Sequence, residues 1–157
     1  MRCFSTIFFG VAMTTVRHIL EEKGHQVWSV RPGDKVYDAI KIMADKDVGS
    51  LVVLDDGKLV GMVTERHYAR NVFLKGRASP QTRVDDIMER HVLCVEPNQS
   101  IEECMALMTA KRLRHLPVIE DNKVVGVVSI GDLVKSIISD REFVIEQLER
   151  YIRGNTR

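Results

Sequence analysis

Val27-Trp28-Ser29-Val30-Arg31-Pro32 is the stretch that decides the fold, because it returns later as Val92-Leu93-Cys94-Val95-Glu96-Pro97. From there the two stretches run on at one constant offset, without a gap, to Gly61-Met62-Val63-Thr64 over Gly126-Val127-Val128-Ser129. On the way Pro32 meets Pro97, Met43 meets Met108, Lys46 meets Lys111 and Val53 meets Val118. About a quarter of the aligned positions are identical and most others keep their apolar or polar character, the pattern of an internal repeat.

Each copy predicts the same elements. Val27 to Val30 alternates with a period of two, as a strand does, and Pro32 ends it. Val36, Ala39, Ile40 and Met43 then recur at helical spacing, as do Ile101, Cys104, Met105 and Met108, with Ser100 and Glu103 as a capping box. Leu51 to Leu54, Asp55-Asp56-Gly57 and Leu59 to Val63 read as a hairpin. Leu116 to Ile119, Glu120-Asp121-Asn122 and Val124 to Val128 repeat it. Each copy then enters a helix at Thr64 or Ser129. The expected fold class is α/β with mixed sheets, β-α-β-β-α twice over. One copy is too small to bury a good core, so the two are expected to pack sheet to sheet.

The remaining segments fall around this pair. Residues 1–14 read as an N-terminal extension, 15–74 and 91–139 as the repeats, 75–90 as the connection, and 140–157 as a C-terminal helix and tail. Met13 is the expected natural start. In the connection, Gly76 to Thr82 is expected to be flexible and Val84 to Met88 to form a short helical turn. The last segment carries Leu133, Ile137, Ile138, Val144, Ile145, Leu148 and Ile152 on one stripe, closed by Gly154. The stripe either covers the core or meets a second copy.

Bulk composition narrows the function. The chain has 157 residues, 45% hydrophobic and 29% charged, with a net charge of +1, so no global basic field draws in nucleic acid. Cys3, Cys94 and Cys104 are odd in number and lack a C-x-x-C, which argues against a disulfide framework or a zinc site and fits a reducing cytoplasm. Cys94 and Cys104 are expected to be buried packing residues. The apolar run Ile7 to Val11 is too short to span a membrane. The five histidines show no helical metal-site spacing, and there is no G-x-S-x-G, Walker or G-x-G-x-x-G sequence. His67 has no evident nucleophile beside it. No metal and no catalytic residue is expected, and the chain reads as a non-enzyme. Trp28 reads as a strand aromatic packed on a neighbour, with base stacking as the other option, and Lys46 as surface charge.

The chemistry concentrates where the last strand of each copy meets its last helix: Gly61-Met62-Val63-Thr64-Glu65-Arg66-His67, and Gly126-Val127-Val128-Ser129-Ile130-Gly131-Asp132. A hydroxyl at the helix start and a carboxylate three residues later lie at the end where backbone N–H groups point outward, which suits phosphate. The Asp can accept both hydrogens of a ribose diol. The same residues also make a helix cap that needs no ligand.

With the whole repeat pattern, the G-h-x-[ST]-x-x-D junction resembles the CBS-domain family, over roughly Thr15 to Ser139. The resemblance implies two tandem CBS repeats with pseudo-twofold symmetry in one disc-like module. It implies two clefts between the repeats that take adenosine-containing ligands. Carried over by position, Ser129, Gly131 and Asp132 complete one cleft. Its partners would be Lys35, Tyr37, Val48, Gly49 and Ser50, the last three reading the adenine edge. AMP, or another adenine nucleotide such as ADP or ATP, is the ligand expected there. The other cleft would use Thr64 and Arg66, with Arg112, Arg114 and His115 facing phosphates. His67 stands there in place of Asp and cannot accept two ribose hydroxyls. That cleft is expected to bind more weakly, or to take a different ligand, with NAD(H) and its pyrophosphate as a candidate.

The resemblance further implies a homodimer of such modules, acting on a regulated partner protein. A constitutive scaffold or dimerisation module is the competing reading, motivated by His67 and the C-terminal stripe. Single-stranded nucleic acid on the Arg112 to His115 edge is a third, opposed by the charge and by 6% aromatic residues.

Overall fold

The computed structural model describes residues 13–154, so the expectations for Met1 to Ala12 and for Cys3 lie outside the described residues. The two hairpins form as the turn residues dictate. Asp56 and Gly57 take φ of 46° and 77°, and Asp121 and Asn122 take 50° and 60°. Positive φ at both central residues is the turn that matches the twist of flanking strands. β2 (Ser50–Asp55) thus pairs antiparallel with β3 (Lys58–Thr64), and β4 (His115–Glu120) with β5 (Lys123–Ser129). Both hairpins shift register at the same place, after Val53 and after Val118.

The helices follow the apolar spacing. α2 (Val36–Lys46) buries Val36, Ala39 and Met43, and α4 (Ile101–Lys111) buries Ile101, Cys104 and Met108. The capping box at α4 forms: the Glu103 N–H donates to Ser100 Oγ at 3.2 Å, and the Ser100 N–H donates to Glu103 Oε2 at 2.9 Å. α3 (Glu65–Tyr68) runs into a π-helical turn, Ala69–Phe73, while its counterpart α5 (Ile130–Gly154) continues for 25 residues.

The opening strands differ. β1 (Ser29–Val30) lies parallel to β2, and Val52 donates its N–H to the Trp28 carbonyl at 3.2 Å. In the second copy only the bridge Val95 to Val118 remains. The cause is Pro117, which stands where the first copy has Val52 and has no N–H to give. Cys94 is therefore exposed, not buried as expected, while Cys104 is buried. Burial and the nearby Glu103 push the Cys104 thiol up to about 11.

Each repeat has its own core cluster, and the segments preceding the repeats are exchanged between them. α1 (Val16–Lys23) precedes the first repeat, yet Val16, Ile19 and Leu20 join the core of the second. Val84, Ile87 and Met88 precede the second repeat and join the core of the first. The backbone bonds match in kind. Val16 and Arg17 donate to Gln99 and Pro97 at 3.0 and 2.9 Å, and Val84 and Asp85 donate to Asp34 and Pro32 at 2.9 and 3.0 Å.

One further expectation is corrected and one is narrowed. The stretch from Gly76 to Thr82 is tied down at its far end: the Val36 N–H donates to the Thr82 carbonyl and the Tyr37 N–H to that of Ser79, and Thr82 is buried. These bonds satisfy N–H groups at the start of α2 that have no partner within the helix. Of the two readings of the α5 stripe, covering this chain's core holds only for its first turns. Leu133 is buried and Ile137 packs beside it, but residues 139–154 are exposed throughout. Trp28 packs on the first core with Lys46 Nζ 4.5 Å from its ring centroid, so Lys46 makes a cation–π contact.

Candidate functional site

The glycine at each junction is explained by what packs on it. A Cβ on Gly126 would stand 2.5 Å from Leu20 Cδ2, and one on Gly61 would stand 2.5 Å from Met88 Sδ. The glycines let α1 and the segment before the second repeat close onto β5 and β3, beside the start of each final helix.

Both junctions form the cap that the spacing allows. The His67 N–H donates to Thr64 Oγ1 at 3.2 Å, and the Thr64 N–H donates to His67 Nδ1 at 3.2 Å. The Asp132 N–H donates to Ser129 Oγ at 3.2 Å, and the Ser129 N–H donates to Asp132 Oδ2 at 2.8 Å. An imidazole and a carboxylate thus do the same local work. The bond from Thr64 fixes Nδ1 of His67 as an acceptor, leaving its proton on Nε2. Burial, helped by Arg66 and Arg70 and opposed by Glu89, lowers the His67 pKa.

At the Thr64 junction a cavity of about 340 Å³ opens between the repeats. Thr64, Arg66 and His67 line it from the first repeat, and Arg112, Arg114 and His115 from the second. Arg66 reaches across, its Nη1 donating to the Arg112 carbonyl at 3.4 Å. Arg112 is aimed by its left-handed φ of 54°, which ends α4. The structure therefore brings together Thr64, Arg66, His67, Arg112, Arg114 and His115. Burial lowers the His115 pKa, with Asp132 pulling the other way. Lys111 adds a fourth cation to the rim, and Glu65 and Glu89 are the acidic groups.

Around Ser129 and Asp132 the arrangement differs from the expected one. Gly49 lines the Thr64 cavity and lies against the His115 ring, its Cβ position 3.4 Å from Cε1. Val48 packs on the first core, and Ser50 starts β2 opposite Thr64. Lys35 precedes α2 and bridges to Arg83, and Tyr37 is 54% exposed with its N–H on Ser79. The contacts of Lys35 and Tyr37 are thus with the connecting segment. Gly131 lies in the first turn of α5, beside Ser129 Oγ. The group that meets Asp132 is Lys23 at the end of α1, its Nζ 2.6 Å from Oδ2. Burial alone would raise the Asp132 pKa, but the bonds from Lys23 and Ser129 outweigh it and hold the carboxyl below its ordinary value.

Lys23, Lys111, Glu89 and His91 were not found by motif reasoning. For Lys23, Glu89 and His91 the signal was available in Val16-x-x-Ile19-Leu20 against Val84-x-x-Ile87-Met88, while Lys111 was read only as the counterpart of Lys46. Three extra residues between Leu20 and Val27 break the constant offset and hide it.

A profile of the CBS domain matches residues 15–73 and 84–139. The chain is 38% identical over 155 residues to the mitochondrial CBS domain-containing protein CBSX3 of Arabidopsis thaliana, covering 92% of this chain and 75% of that protein. A CBS-domain protein of Burkholderia ambifaria MC40-6, described as a candidate signal-transduction protein, superposes with a TM-score of 0.79 at 54% identity, covering 81% of this chain and 96% of that one. The CBS domain pair of protein MJ0100, solved with 5′-methylthioadenosine and S-adenosyl-L-methionine, has a TM-score of 0.72 at 22% identity, a likeness of fold, covering 81% of this chain and 98% of that one.

Proposed function

The chain belongs to the CBS-domain family, and on that premise we propose that it is a regulatory module, not a catalyst, that binds adenosine-containing nucleotides between its repeats. The observation that carries this reading is the cavity at Thr64, where both repeats supply cations to one space of about 340 Å³. That volume falls in the range of small-molecule sites. Arg66, Arg112 and Arg114 suit phosphate, and His67 in place of Asp shifts this cleft toward a ligand recognised by its phosphates, such as the pyrophosphate of NAD(H). The Ser129/Asp132 junction is the place for an AMP-like ligand, its carboxylate for the ribose and the start of α5 for the phosphate. MJ0100, with adenosyl ligands in a pair of the same fold, supports the ligand class.

Binding that bridges the repeats favours one packing of the two over others, which is how a ligand reaches a partner protein or the assembly state. We assign assembly to α5. Val134, Ile138, Arg141, Ile145 and Leu148 follow alternating steps of four and three, the spacing of a two-helix seam, with Ile138 and Ile145 at one position and Val134, Arg141 and Leu148 at the other. Ile138, Ile145 and Leu148 are all more than half exposed. The same stripe supports the second reading, a dimerisation module that needs no ligand. Among the described residues no helix is long and apolar enough to cross a membrane. The Arabidopsis relative is named as mitochondrial, and the cysteine pattern of this chain fits a reducing compartment.

Thermal melts with AMP, ADP, ATP, NAD⁺, NADH and S-adenosylmethionine test the proposal. A ligand at about a hundred times its dissociation constant adds ~2.7 kcal/mol to stability. At least one nucleotide should raise Tm. No shift with any of them would leave both junctions as helix caps and favour the dimerisation module.

A further inference from the structure

We infer that Lys23 belongs to the Ser129/Asp132 cleft and makes it select nucleoside 5′-phosphates over uncharged nucleosides. The inference rests on the nucleotide-binding reading above.

Lys23 is held in place by two bonds, from Nζ to Asp132 Oδ2 at 2.6 Å and to the Val127 carbonyl at 2.9 Å. Both members of the ion pair stay within reach of solvent, with 37% and 24% of their side chains exposed. The exchange of leading segments gives the lysine its meaning. Counted from the anchors Leu20 and Met88, Lys23 is the counterpart of His91, and His91 lines the Thr64 cavity. Asp132 is likewise the counterpart of His67. The same two places of the repeat therefore carry lysine paired with aspartate beside Ser129, and histidine with histidine at the Thr64 cavity.

The ion pair decides which ligand the aspartate tolerates. A bare carboxylate at the start of α5 repels a phosphate arriving at the same helix end. Lys23 cancels that charge. Ribose hydroxyls that donate to Asp132 compete with Lys23 for Oδ2, which already accepts from Lys23 and Ser129. A 5′-phosphate offers the displaced ammonium a new anionic partner nearby. An uncharged nucleoside offers none, so its binding breaks a charge-assisted bond without replacement.

The test is calorimetric titration of AMP and adenosine into the wild type, Lys23→Met, Lys23→Arg and Asp132→Ala. The wild type should prefer AMP by at least about tenfold. Lys23→Met should bring the two ligands within roughly twofold of each other, weakening AMP and tightening adenosine, while Lys23→Arg keeps the preference. An unchanged preference in Lys23→Met, with binding still lost in Asp132→Ala, would overturn the role of Lys23 alone. Absence of binding to the wild type, or binding indifferent to Asp132→Ala, would overturn the nucleotide-binding reading together with it.

Discussion

Leu20 sits on Gly126 so closely that any side chain there would meet it, with both Leu20 Cδ atoms within 3 Å of where a Cβ would be. This one contact joins the helix before the first repeat to the last strand of the second. Gly126→Ala should therefore destabilise the fold by about 1–3 kcal/mol through overpacking. Leu20→Ala should cost ~2–5 kcal/mol through the cavity it leaves. The double variant should cost less than the sum, because removing Leu20 frees the space the alanine needs. Urea denaturation of the four proteins measures the coupling, and strict additivity would show that the two residues do not share this contact.

That contact also marks how far the sequence could be read. The repeat, its element order, both turns and the capping boxes were legible because each rests on neighbours in sequence. The exchange of leading segments was not, since nothing local says that Val16 and Leu20 pack on a strand more than a hundred residues away. The lost strand at Cys94 was legible in principle. Pro117 opposite a strand that needs its N–H is a sequence-level warning. At the candidate site, the caps at Thr64 and Ser129 were legible in the junction motif, whereas Lys23 and His91 belong to the segments whose register the extra residues conceal.

Arg66 spans the Thr64 cavity from one repeat to the carbonyl of the other. Arg66→Gln should weaken a pyrophosphate-bearing ligand by about tenfold, with a smaller dependence on salt than the wild type shows. Titration of NADH at two ionic strengths reads both effects. An equal effect on AMP at the Asp132 cleft would contradict the assignment of Arg66 to this cleft.

Burial lowers the pKa of both His67 and His115 below the ordinary 6.5. The unfolded chain then takes up these protons at a higher pH than the folded one. Stability should fall as pH drops below about 6.5 toward the folded values, and hold above it. A phosphate in the cavity favours the charged imidazoles, so anionic ligands should bind more tightly at pH 6 than at pH 7.5. Melts across this range with and without NADH check both signs, and replacing His67 with Gln should reduce the dependence.

The exposed face of α5 should pair with a second copy. Ile145→Glu and Leu148→Glu should shift the protein toward monomer in sedimentation equilibrium. Their Tm at low concentration should change little, because both residues are exposed within the chain. A wild type that is monomeric at tens of micromolar would contradict the seam.

The central claim is that an adenine nucleotide binds between the repeats at a site that includes Asp132. Its most direct test is calorimetric titration of AMP into the wild type and Asp132→Ala. Saturable binding to the wild type that is lost in the variant, with the fold intact by circular dichroism, is the predicted result. Binding of equal strength to both, or none to either, would contradict it.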